Sequence, residues 1–131
     1  MRKSTSIHEV SFEDLLEVLQ EWENGVLPYD EVQAWAEMIF SSEWHEYEKD
    51  DPRSILVEVI QLLEDMYWEP ILKKDIPVLR SILVEARNSP ADAWRQRDAF
   101  VETINWTYRK QQASSNLQKY HDQKLDTISD P

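Results

Sequence analysis

The sequence predicts an all-α protein, a single-domain antiparallel helical bundle of about five helices packed around a central buried helix at 51–68. Three observations lead there. The only glycine is Gly25 and the six prolines cluster near apparent helix starts, whereas a sheet-rich fold needs many turn glycines. The stretch Asp51–Trp68, DPRSILVEVIQLLEDMYW, is apolar on most of its sides when mapped at about 100° per residue, the mark of a helix surrounded by others. A length of 131 residues without a break in composition suits one domain with a real core.

In chain order, Ser11 and Asp14 form a variant capping box, and Phe12, Leu15, Leu16, Leu19 and Trp22 then recur at helical spacing up to Gly25. Glu13, Asp14, Glu17, Glu21 and Glu23 are left for the outer face. A second helix opens after Pro28 with Asp30 and Glu31 at its positive end, burying Val32, Trp35, Ala36, Ile39 and Phe40. Residues 41–50, SSEWHEYEKD, interleave aromatic and acidic side chains without a clean period and fit either a fraying helix or a surface loop.

The central helix starts at Asp51, an N-cap, with Pro52 in the first turn. Its polar stripe is Ser54, Glu58, Gln61 and Asp65. It is too short and too interrupted by acids to cross a bilayer. Pro70 ends the run, Asp75 and Pro77 open a fourth helix, and Ser89 with Pro90 opens a last long one with Trp94, Phe100, Val101, Ile104 and Tyr108 inward. The pattern places the helical domain at 1–112 and a polar C-terminal tail, mobile or loosely docked, at 113–131.

Charge is unevenly spread. The net charge is −12, yet residues 9–69 alone carry −16, with Lys49 and Arg53 as their only bases, and residues 70–131 carry +2. Such a field disfavours direct binding to nucleic acid or anionic membrane and favours a basic protein partner. No cysteine is present and no apolar run follows the basic start MRKSTSIHEV, so the expected setting is cytoplasmic, without disulfides or thiolate metal sites.

No motif for catalysis or for a cofactor is visible. A glycine-rich phosphate cradle is missing, and paired carboxylates are too abundant for any pair to stand out. His45 beside Glu43, Glu46 and Glu48 is the one arrangement from which a metal-dependent enzyme could be built, although no Glu-x-x-His pair on two helices supports it. Tryptophan is more informative. Of the six, Trp22, Trp35 and Trp94 fall on apolar faces, whereas Trp68 falls in the polar stripe of the central helix, Trp106 lies beside Glu102 and Arg109, and Trp44 sits with Tyr47 among acids. Exposed tryptophans are enriched at interface hot spots; the same rings can also cover seams between helices. The candidate partner-binding residues are therefore Glu43, Trp44, Glu46, Tyr47, Glu48, Asp50, Asp51, Trp68 and Trp106.

The segment Phe12–Phe40, FEDLLEVLQEWENGVLPYDEVQAWAEMIF, resembles the opening of small acidic bacterial immunity proteins of the colicin D type, in which an amphipathic helix leads through a short turn to a second helix carrying acids and aromatics. The resemblance covers about a fifth of the chain. It implies a helical bundle that inhibits a nuclease toxin by laying acidic side chains into its basic cleft in place of RNA phosphates, and it carries over no individual contact residue. Two readings follow: a non-enzymatic acidic binding module, immunity-like in its most concrete form, or a structural or regulatory homo-oligomer closed by Trp68 and Trp106.

Overall fold

Helices in this chain begin where a side chain can satisfy the first free amides. In the computed structural model, which describes residues 9–41 and 46–115, Ser11 Oγ accepts from the Asp14 amide (3.0 Å) and the Asp14 carboxylate accepts from the Ser11 amide (3.1 Å), a closed capping box that starts α1 (Phe12–Glu23). Gly25, at φ +80°, lets the chain leave that helix and turn into α2 (Tyr29–Ser41). An L-residue in this left-handed conformation would cost about 1–2 kcal/mol. Asp51 accepts from the Arg53 amide (2.9 Å) with Pro52 in the first turn, and α3 (Pro52–Glu64) follows. A 3₁₀ turn at Lys73–Asp75 leads into α4 (Ile76–Asn88), and Ser89 caps α5 (Pro90–Thr103) through the Asp92 amide at 3.2 Å. Last among the described residues is α6 (Trp106–Ser115).

The α3 helix is central: Ile55, Leu56, Val59, Ile60 and Leu63 are fully buried, and α1, α2, α4 and α5 all pack on it. The described residues thus form an all-helical, compactly packed structure, with six α-helices where the periodicity suggests five.

Two boundaries differ from the sequence pattern. The central helix stops at Glu64, with Asp65 as its C-cap, and not at Trp68. Side chains of α2 take over there. Gln33 Nε2 donates to the Glu64 carbonyl (2.9 Å) and the Tyr29 hydroxyl to the Met66 carbonyl (2.9 Å), satisfying groups that further helix would have used. The expected last long helix is broken at Ile104, which is extended (φ −80°, ψ 134°). Asn105 Oδ1 then accepts from the Tyr108 amide (3.0 Å), starting α6 afresh. That helix runs to Ser115 and buries Ala113, past the point at which the sequence pattern ends the folded region; residues 116–131 lie outside the described part.

What fixes α6 is Arg109. Its side chain, 1% exposed, donates to both Asp75 carboxylate oxygens (2.7 and 3.2 Å) and to the Pro70 carbonyl (3.0 Å). Asp75 also accepts from the Leu72 amide (2.8 Å). Asp75 stands at the α4 N-cap but makes no side-chain capping bond to that helix; its carboxylate is the buried counter-charge.

Candidate functional site

The sequence concentrates acids in its first half, and folding sorts them by side. Along one side, arginines of the second half reach back across the structure. Arg80 pairs with Glu23 (2.5 Å), Arg87 with Glu13 (2.5 Å) and Arg97 with Glu58 (2.7 Å). The hydrogen bond from Arg87 holds the Glu13 carboxyl below its ordinary range. Glu58 goes the other way: burial raises its pKa, and Arg97 only partly offsets that. The polar stripe of α3 is covered here by α5. Trp94 Nε1 donates to Ser54 Oγ (2.9 Å) above the Arg97–Glu58 pair, so Ser54 is buried despite being polar. Trp94 also lies beneath the Lys49 ammonium, 4.5 Å from the ring centre.

Around the end of α3 cations are fewer: Lys110 lies 3.9 Å from Glu69. At the end of α3, Glu64 faces Glu37 of α2 and adjoins Asp65, and among the described residues no cation pairs with any of these three. Desolvation, then the neighbouring Asp65 and Glu37 charges, raise the pKa of Glu64; desolvation and Glu69 raise that of Asp65. Carboxylates in this state gain from any cation brought to them. Tyr67, half-buried beside them, donates to Asp30 (3.1 Å), and Trp68 projects from the turn with 76% of its surface exposed.

The sequence-predicted site residues are distributed differently from expectation. Glu43 and Trp44, with His45, lie outside the described residues. Glu46, Glu48 and Asp50 are exposed. Tyr47 is half-buried, packs on the core and lies under the Arg53 guanidinium at 5.3 Å, while Asp51 is engaged as the α3 N-cap. Trp68 is outward because it belongs to the turn after α3 and not to a helix face. Trp106 is half-buried against the core, and its Nε1 donates to the Val101 carbonyl (3.1 Å) across the break at Ile104. Trp94, assigned inward by periodicity, is partly open and lines a small cavity of about 160 Å³ with Glu46, Tyr47 and Glu58. The uncompensated Glu37, Glu64 and Asp65 were not singled out from sequence; the only signal available was the acid run Glu64-Asp65 beside Trp68.

A second opening lies between α1 and α2, a cavity of about 330 Å³ lined by Val18, Leu27, Glu31, Ala34, Trp35 and Met38. Trp35 is only 7% exposed, and its indole N–H is buried without an acceptor, an arrangement that costs about 1–3 kcal/mol.

Among the described residues, no three histidine, aspartate or glutamate side chains converge so as to hold a metal ion, and no helix is long and apolar enough to cross a membrane. No protein-family model, curated protein or solved structure matches the chain.

Proposed function

We propose that this protein is a non-enzymatic binding module for a basic protein, with the α2 flank and the end of α3 as its contact surface. The observation that carries the reading is the grouping of Glu37, Glu64 and Asp65, unpaired with any cation of the described residues, beside the exposed Trp68; Glu64 and Asp65 also have raised pKa values. Lysines or arginines of a partner would supply the missing counter-charge, and the indole would supply the apolar anchor. In its most concrete form the partner is a basic nuclease toxin whose cleft these carboxylates fill in place of RNA phosphates, the role implied by the likeness of residues 12–40. The absence of cysteine suits action in the cytoplasm.

The test is titration of an oligolysine peptide and of a panel of basic ribonucleases into the wild-type chain and into Glu37→Lys/Glu64→Lys/Asp65→Lys. The triple variant should bind at least ~10-fold more weakly at low salt and keep its helical circular dichroism, and the wild-type affinity should fall steeply with salt because screening acts within ~8 Å at physiological ionic strength. Equal affinity of variant and wild type for every probe would refute the reading.

A further inference from the structure

Three cations of this chain sit on groups that would equally receive a foreign one. The Lys49 ammonium lies 4.5 Å from the Trp94 ring centre, the Arg53 guanidinium 5.3 Å from that of Tyr47, and Arg97 pairs with Glu58 (2.7 Å). Trp94, Tyr47, Glu58, Glu46 and Gln61 line the cavity of about 160 Å³. A wider opening of about 570 Å³, bordered by Asp50, Pro90 and Ala91, has Lys49 and Trp94 in common with it. Lys49 is thus the partition between the two. It is exposed, so its side chain can leave the ring for water at little cost, whereas the Glu58 side chain is only 14% exposed and stays fixed on α3. Arg97 does not saturate Glu58. It also bonds Asp98 Oδ1 (3.0 Å), and burial keeps the Glu58 pKa raised despite the pair.

We propose that the chamber between α3, α5 and residues 46–50 is a binding site for a primary alkylammonium group, and that Lys49 is its built-in competitor, closing the site from within. With Lys49 swung into solvent, the two cavities join. An incoming ammonium takes the Lys49 position over the Trp94 ring, close enough to Glu58 for the Lys49 charge to be felt there, and its methylene stem lies along Pro90 and Ala91. Charge selects this class. An anion would meet Glu46, Asp50 and Glu58, and the start of α5 offers it little: Pro90 has no N–H, and Ser89 already accepts from the Asp92 and Ala93 amides. A neutral apolar group would forgo the carboxylates. The site is distinct from the surface at the end of α3 and does not rest on it.

The probes are butylammonium and N-acetyl-lysine methylamide, with butanol as the uncharged control, each titrated into the full chain while the Trp94 indole N–H resonance is followed by NMR. Lys49→Gln should bind both amines at least ~5-fold more tightly than wild type and shift the Trp94 resonance, and butanol should do neither. Lys74→Gln makes the same change in net charge at the far end of α4 and should keep the wild-type affinity, which separates the chamber from general attraction to an acidic protein. Adding Glu58→Gln to Lys49→Gln should remove the gain while helical circular dichroism is retained. Tighter binding of the lysine derivative assigns the ammonium to a protein side chain, and tighter binding of butylammonium to a free amine; either result supports the site. Equal affinity of Lys49→Gln and Lys74→Gln, or binding without a Trp94 shift, overturns it and leaves the reading of the end of α3 untouched.

Discussion

One side of this molecule has its charges paired across helices, and the other leaves acids facing one another. On the α4–α5 side, Arg80, Arg87 and Arg97 neutralise Glu23, Glu13 and Glu58, and Arg109 does the same for Asp75 in the interior. At the end of α3, Glu64 feels the charges of Asp65 and Glu37, and Asp65 that of Glu69, whose own cation, Lys110, stands 3.9 Å away. The contrast teaches that several arginines of the second half of the chain are spent on pairing acids of the first half, which leaves Glu37, Glu64 and Asp65 without a cation among the described residues. A surface left uncompensated by the fold is where a partner's charge has most to gain.

Substitutions on the two sides should therefore behave oppositely. The largest loss belongs to the paired interior. Arg109→Ala leaves the Asp75 carboxylate buried without its cation and should cost about 3–5 kcal/mol in urea denaturation. Trp94→Phe removes the donor to Ser54 and weakens the Lys49 contact, with an expected loss of about 1–2 kcal/mol.

The bare side should reverse the sign. Glu64 and Asp65 have folded pKa values raised above their unfolded ones, so their charges oppose folding fully above the raised values, and the opposition fades as pH falls through them. Glu64→Gln/Asp65→Asn should raise stability at pH 7 by less than ~1 kcal/mol after solvent screening, an increment that shrinks with added salt and disappears on acidification through the carboxylate range. Binding of an oligolysine probe should show the converse, strengthening as pH rises through the same window. Smallest of all, Trp68→Ala should leave the urea midpoint within ~0.5 kcal/mol of wild type while weakening the probe's binding. A marked destabilisation would mean that Trp68 belongs to the fold and would blur the contrast.

Much of the local architecture was legible because it is written in neighbouring residues. Ser11 with Asp14, Asp51 with Pro52 and Ser89 with Pro90 each act within one helical turn, and the apolar faces of α1, α2 and α3 follow directly from their spacing. The site was less legible, because its features depend on which helix covers which stripe. Ser54 and Glu58 form a polar stripe in one dimension, yet Trp94 and Arg97 of α5 cover it. Arg109 sits in a polar segment with no apolar period, and its partner Asp75 is 34 residues away. The end of α3 was misplaced for a related reason. Tyr29 and Gln33 reach it from α2, over separations of 37 and 31 residues, and no helical wheel records them.

The Arg109 anchor also bears on how the structure opens. Detaching α6 would strand the Asp75 carboxylate in an apolar interior and free the Pro70 carbonyl and the Leu72 amide from a common network. Fraying of the last described helix is thereby coupled to the loosening of residues 70–76. Amides of α6 and of that segment should exchange with solvent at one shared rate, as a single cooperative unit, although they come from parts of the chain more than 30 residues apart.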